Sequence, residues 1–107
     1  MSYSIIPTDK FKKEAKRLVK KYPSLKVELN ELNNLLCKHP QEGTSLGDDT
    51  YKIRIAIKSK GKGKSGGARI ITYVVTKDQE VYLLTIYDKS EIDTIDDKAL
   101  KKIINQL

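Results

Sequence analysis

The chain is 107 residues long and carries 21 Lys and Arg against 14 Asp and Glu, a net charge of +7 with the single His neutral. That length supplies one compact core spanning residues 1–107 and excludes a second domain, while 38% hydrophobic and 33% charged residues exclude both an obligately disordered chain and a membrane-embedded one. No apolar run approaches the roughly 18 residues that a bilayer crossing needs, the opening Met-Ser-Tyr-Ser-Ile-Ile-Pro lacks the features of a secretion signal, and the lone Cys37 builds neither a disulfide nor a zinc site, so a cytoplasmic protein without membrane attachment is expected.

Residues 3–6 suit a short strand, which Pro7 stops. Thr8 can then cap a helix over 9–22, whose apolar positions Phe11, Ala15, Leu18 and Tyr22 repeat at helical spacing and leave Lys12, Lys13, Lys16, Lys20 and Lys21 to water. Pro23 ends it. A second helix over 24–38 carries the stripe Leu25, Leu29, Leu32 and Leu36, and the two make a helical hairpin. Residues 39–49, with Pro40, Gly43 and Gly47, read as a loop. The period then changes to two: Tyr51, Ile53, Ile55 and Ile57 alternate with Lys52, Arg54, Ala56 and Lys58, the pattern of a half-buried strand with a cationic outer face. A Gly/Lys loop over 59–67 precedes strands over 68–76 and 80–87, joined tightly through Lys77, Asp78 and Gln79. Thr94 and Asp97 have capping-box spacing and open a last helix with the stripe Ala99, Leu100, Ile103, Ile104 and Leu107. The order β-α-α-β-β-β-α predicts a small α+β domain. In it the helical hairpin and the C-terminal helix pack on one face of a mostly antiparallel four-stranded sheet, and lysines and arginines line the other face.

The charge is unevenly placed. Residues 1–50 and 71–107 nearly cancel each other, whereas 51–70 hold Lys52, Arg54, Lys58, Lys60, Lys62, Lys64 and Arg69 with no acid. A concentrated cationic segment attracts a polyanion. Gly63-Lys64-Ser65 ends like a phosphate-binding loop of nucleotide hydrolases, but that pattern needs another Gly at a fixed spacing upstream, which is missing, and a helix where a strand is predicted. Cys37 and His39 lack a second ligand pair, so neither a metal nor another cofactor is expected.

The segments Tyr51-Lys-Ile-Arg-Ile, Lys64-Ser-Gly-Gly-Ala-Arg-Ile-Ile-Thr-Tyr73 and Leu84-Thr-Ile-Tyr-Asp-Lys89, with the basic first helix and Leu-rich second helix before them, resemble the RelE/HigB superfamily of type II toxins, the HigB-like branch in particular. The resemblance covers almost the whole chain. It implies a messenger RNA interferase that enters the decoding site of the small ribosomal subunit, contacts messenger and ribosomal RNA, and inhibits translation. It also implies a cognate HigA-like antitoxin with a helix-turn-helix domain, through which alone the pair would meet DNA. Lys52 and Arg54 fall on the family's catalytic basic pair, and Arg69 on its phosphate-binding arginine. Some RelE-like enzymes carry an arginine just after the last strand and a tyrosine in the last helix; Ser90 and Asp96 stand there instead, leaving Tyr87 and Lys89 as neighbours of those positions.

Such chemistry suits the residues present. Cleaving RNA through its own 2′-hydroxyl requires a base for that proton, a cation for the pentavalent phosphorane and an acid for the leaving 5′-oxygen. Without a histidine pair, Lys, Arg and Tyr must perform all three tasks. Strand alternation sets Lys52 and Arg54 about 7 Å apart on one face, at roughly 3.3 Å per residue, where they can converge on one phosphate with Lys52 a possible base. The catalytic set that the resemblance implies is Lys52, Arg54 and Arg69, with Tyr87 beside them; Lys58, Lys60, Lys62, Lys64 and Lys89 are expected to grip RNA backbone. Two other functions fit the same fold: a ParE-like poison of DNA gyrase, and a non-catalytic RNA-binding module.

Overall fold

A computed structural model describes residues 2–61, 63, 66–92 and 95–107. Its elements run β1 (Ser4–Pro7), α1 (Asp9–Lys21), α2 (Leu25–Lys38), β2 (Thr44–Gly47), β3 (Thr50–Ile55), β4 (Ala68–Val75), β5 (Glu80–Asp88) and α3 (Asp97–Asn105). The expected α+β class and element order are present, with a five-stranded mixed sheet, β1-β5-β4-β3-β2, in place of the expected four strands. The added strand comes from the segment read as a loop. Its residues are all exposed, and it folds back antiparallel on β3 through Asp48 and Asp49, both at positive φ as a tight hairpin turn requires. β3, β4 and β5 form the antiparallel meander, and β1 runs parallel to β5.

The helices do not all share one face. Phe11 and Leu18 of α1 and Leu25, Leu32 and Leu36 of α2 pack with Ile53, Ile70, Val74, Val81, Leu83 and Ile86. α3 lies on the opposite face, where Leu100 clusters with Ile71, Leu84 and Tyr87, flanked by Tyr73, Tyr82, Ile103 and Ile104. The expectation of one covered and one purely cationic face is corrected accordingly. β4 and β5 are apolar in near-continuous runs, which strands show when both faces are buried. Asp96 caps α3, its side chain accepting from Lys98 N at 3.1 Å; the expected cap Thr94 lies outside the described residues. Among the described residues no helix is long and apolar enough to cross a membrane.

α1 starts where expected. Thr8 Oγ1 accepts from Phe11 N at 3.2 Å and lies within donating distance of the Leu83 and Leu84 carbonyls at 3.0 and 3.1 Å. It therefore caps the helix and ties it to β5. Beyond Leu83, where the pairing with β1 ends, Glu14 protects the free edge of β5 by accepting from Thr85 Oγ1 at 2.7 Å and Ile86 N at 3.3 Å.

Candidate functional site

The site grows out of strand register. Lys52 and Arg54 project from β3 on the face opposite α1 and α2, because Tyr51, Ile53 and Ile55 occupy the other positions and pack against the α1/α2 core. Arg54 pairs with Arg69 on β4, and Arg69 pairs with Tyr87 on β5. Directly paired residues hold their Cβ atoms about 5 Å apart on a common face, so Arg54, Arg69 and Tyr87 form one row across three strands, and Lys52 stands one step along the same face.

Tyr87 joins that row because of a bulge. The partners of Ile71 and Thr72 on β5 are Thr85 and Leu83, which leaves Leu84 as an extra residue. A one-residue offset reverses every later side chain. Without it, Tyr87 would face α1; with it, Ile86 enters the α1/α2 core and Tyr87 turns toward Arg69.

Exposure grades along the row. Arg54 is exposed and Lys52 half-buried, whereas Arg69 retains 4% and Tyr87 3% of its surface. Burial, joined by the neighbouring Arg54 charge, pushes the Arg69 guanidinium below its ordinary pKa, with Tyr87 acting in the opposite sense. A guanidinium starts so high that it stays charged. Arg69 Nη1 also donates to the Ala68 carbonyl at 3.2 Å. The row is thus a concentration of positive potential with an accessible outer end, Arg54 and Lys52, and a buried inner end, where Tyr87 packs with Leu100 of α3.

The Gly-rich approach to Arg69 has a steric cause at Gly67. A Cβ there would collide with the Ile55 carbonyl oxygen, so only Gly lets the loop pass against the end of β3. Gly67 O in turn accepts from Lys89 N at 3.0 Å, which ties the approach to β4 to the end of β5.

Of the expected phosphate grips, Lys58 is exposed and Lys89 half-buried, while Lys62 and Lys64 lie outside the described residues. Lys60 differs from them in being paired within the fold. Its Nζ donates to Asp88 Oδ1 at 2.6 Å and to Ser90 Oγ at 3.0 Å, with only 11% of its side chain exposed. Sequence gave no sign of this partnership, since Asp88 reads there as an ordinary surface acid. In the structure Asp88 is fully buried and also accepts from Tyr22 Oη at 2.8 Å, Ser90 N at 2.9 Å and Ser90 Oγ at 2.8 Å. Burial alone would raise its pKa; the hydrogen bonds from Lys60, Ser90 and Tyr22 outweigh that and hold the carboxyl well below the usual range. The 58–60 turn is pinned at its other side too, where Lys58 N donates to Glu28 Oε2 at 2.8 Å and Ser59 N to Ser24 Oγ at 2.9 Å. Both anchorages hold the segment that follows β3.

A small α+β sheet flanked by a helical hairpin is a fold that the chain shares with a bacterial toxin, RelE. The chain superposes on the free state of an Escherichia coli RelE toxin variant with two arginines changed to alanine, at a TM-score of 0.66 and 14% identity over 100% of this chain and 99% of that one. The isolated Escherichia coli RelE toxin gives a TM-score of 0.53 and 17% identity, over 99% of this chain and 100% of that one. No protein-family model matches the chain. The RelE toxin fold is therefore present from end to end in a sequence that shares little identity with it.

Proposed function

We propose that this chain is the toxin of a type II toxin–antitoxin pair, a cytoplasmic endoribonuclease that works without a metal, cuts messenger RNA on the ribosome and so stops translation. A HigA-like antitoxin with a helix-turn-helix domain keeps it silent and provides the contact with DNA. The observation that supports this reading best is the cross-strand row Arg54–Arg69–Tyr87, with Lys52 beside it, in a RelE toxin fold.

In this reading the 2′-oxygen of one nucleotide attacks the adjacent phosphorus and the bond to the 5′-oxygen breaks, leaving a 2′,3′-cyclic phosphate and a 5′-hydroxyl. The accessible Arg54 guanidinium meets the non-bridging oxygens, where two parallel N–H donors match a phosphate. Lys52 is within reach of the same phosphate and exchanges a proton with the reacting oxygens. Arg69 adds positive potential from the layer beneath, where a low dielectric strengthens it. Tyr87, packed with Leu100 of α3, lies behind this accessible pair.

The burial of Arg69 and Tyr87 favours one second reading, a ParE-like poison that binds DNA gyrase and needs neither side chain exposed. Induction in growing cells separates the two. Primer extension on abundant transcripts is expected to find new, translation-dependent 5′ ends that disappear in Arg54→Ala. Intact transcripts together with double-strand DNA breaks would instead identify the gyrase poison. Arg54 is the better probe than Arg69, because it is exposed and its truncation leaves the core untouched.

A further inference from the structure

The largest charge feature that the row leaves unused is on the other side of the molecule. Residues 9–26 contain Lys10, Lys12, Lys13, Lys16, Arg17, Lys20, Lys21 and Lys26 against only Asp9 and Glu14. α1 buries Phe11 and Leu18 against the sheet, so its cations are forced onto the outer half of the helix. Some of them have partners: Lys10 pairs with Glu14 at 2.5 Å, and Arg17 and Lys21 reach Glu91 at 2.8 and 3.8 Å. Lys12, Lys13, Lys16 and Lys20 are exposed and have no carboxylate within ion-pair distance among the described residues. Lys16 and Lys20 border two adjoining shallow depressions, one shared with Lys12 and Lys26 and the other with Lys13 and Arg17, so the band is continuous.

Its geometry selects among polyanions. Lys12, Lys16 and Lys20 lie about one turn apart in a row that winds gently round the helix, rising about 6 Å per step at 1.5 Å per residue. That step is comparable to the spacing of successive phosphates along one strand of a nucleic acid. A membrane surface is a poor match, because an interfacial helix inserts its apolar face and the apolar face of α1 is already committed to the core. A protein partner is a poorer match: the apolar surface beside the band is confined to Pro7, Phe11, Ala15 and Val19 on the floor of one shallow depression, and none of the exposed large hydrophobics, Val27, Leu35, Leu46, Ile92 and Leu107, lies on α1 to serve as an anchor. Lysine without base-reading side chains grips phosphate and leaves sequence unread.

We propose that the outer face of α1 is a second RNA-docking surface, holding the backbone of double-helical RNA through Lys12, Lys13, Lys16 and Lys20 on the opposite side of the sheet from the cleaved strand. The choice of RNA over DNA rests on the ribonuclease reading; the phosphate grip rests on α1 alone. The protein is then two-sided, docked on structured RNA by one face and presenting Arg54 and Lys52 to a transcript on the other.

The test is fluorescence anisotropy with the full chain and an end-labelled, fully 2′-O-methylated RNA hairpin of arbitrary sequence, which cannot be cut through a 2′-hydroxyl, so binding is read whether or not the protein is a nuclease. For wild type, log affinity should fall with log salt at a slope of about −3 or steeper, each phosphate contact giving roughly −0.7 to −0.9. Lys12→Gln/Lys13→Gln/Lys16→Gln/Lys20→Gln should flatten that slope by about 3 and weaken binding more than about 100-fold near 0.1 M salt. The matching fourfold Lys→Arg variant should bind like wild type, and Lys101→Gln/Lys102→Gln, at exposed positions of α3, should change hairpin affinity less than about threefold. Gln is a good helix former, and an unchanged circular-dichroism melt certifies the fold. The proposal is overturned by a wild-type slope shallower than about −1, by an unchanged slope in the fourfold Gln variant, or by equal loss in Lys101→Gln/Lys102→Gln. It is overturned equally if polyglutamate or phosphatidylserine vesicles of matched charge displace the hairpin as well as unlabelled RNA does.

Discussion

Replacing Asp88 by Asn keeps the shape of the side chain while removing the charge that Lys60, Ser90 and Tyr22 converge on. Asn brings its own N–H donors into a pocket filled with donors, and the Lys60 ammonium, 11% exposed, loses its counter-ion. Breaking a buried pair from one side costs about 3–5 kcal/mol. Lys60 sits near enough to the surface to recover some hydration, so about 3 kcal/mol is expected, or roughly 12 °C in Tm for a domain of this size. The pH dependence is specific. The folded pKa of Asp88 is depressed, so its contribution is complete above the unfolded carboxylate value of about 4 and is lost as pH falls toward the folded value. Guanidinium denaturation of wild type and Asp88→Asn should therefore show the full gap at pH 7 and a narrowing gap between pH 4 and pH 2.5. A gap under about 1 kcal/mol at pH 7, or one constant across that range, would refute the network.

Gly67→Ala should lower stability by more than about 2 kcal/mol, read by thermal melting, because the new Cβ meets backbone, which cannot move aside as a flexible side chain would. Thr8→Ala removes both the α1 cap and the tie to β5 and should cost about 1–2 kcal/mol in the same assay. Leu100→Ala, at the centre of the α3 contact, should cost about 2–4 kcal/mol and speed hydrogen exchange in α3 more than in α1. Arg54→Ala should leave stability within about 0.5 kcal/mol of wild type and abolish transcript cutting.

Much of the scaffold was legible from periodicity. The stripes of Leu18, Leu25 and Leu36 named the first core, and the alternation of Tyr51 to Ile57 set Lys52 and Arg54 on one face. Three things were hidden, each for a physical reason. The Thr44–Gly47 strand has no buried residue to give it a period. Which face Tyr87 occupies depends on the extra residue Leu84, and a bulge leaves no mark in a run that is apolar on both sides. Asp88 reads as a surface acid until Lys60, 28 residues away, is seen to reach it. The charge arithmetic contained a further signal that a coarse division concealed: the five acids between residues 28 and 49 offset most of the seven cations of α1 in number, although the fold sets those cations apart on their own surface.

The central claim is that a row of arginine, lysine and tyrosine on a β-sheet face cuts RNA through the substrate's own hydroxyl, and the chemistry of the ends tests it directly. A purified translation reaction with a defined messenger should yield fragments ending in 2′,3′-cyclic phosphate and beginning with 5′-hydroxyl. A 2′-O-methyl group at the cut nucleotide should block the reaction, and Arg54→Ala should produce no fragments. Fragments with 5′-phosphate ends, cutting at a methylated nucleotide, or no cutting by a folded wild-type protein would contradict the account.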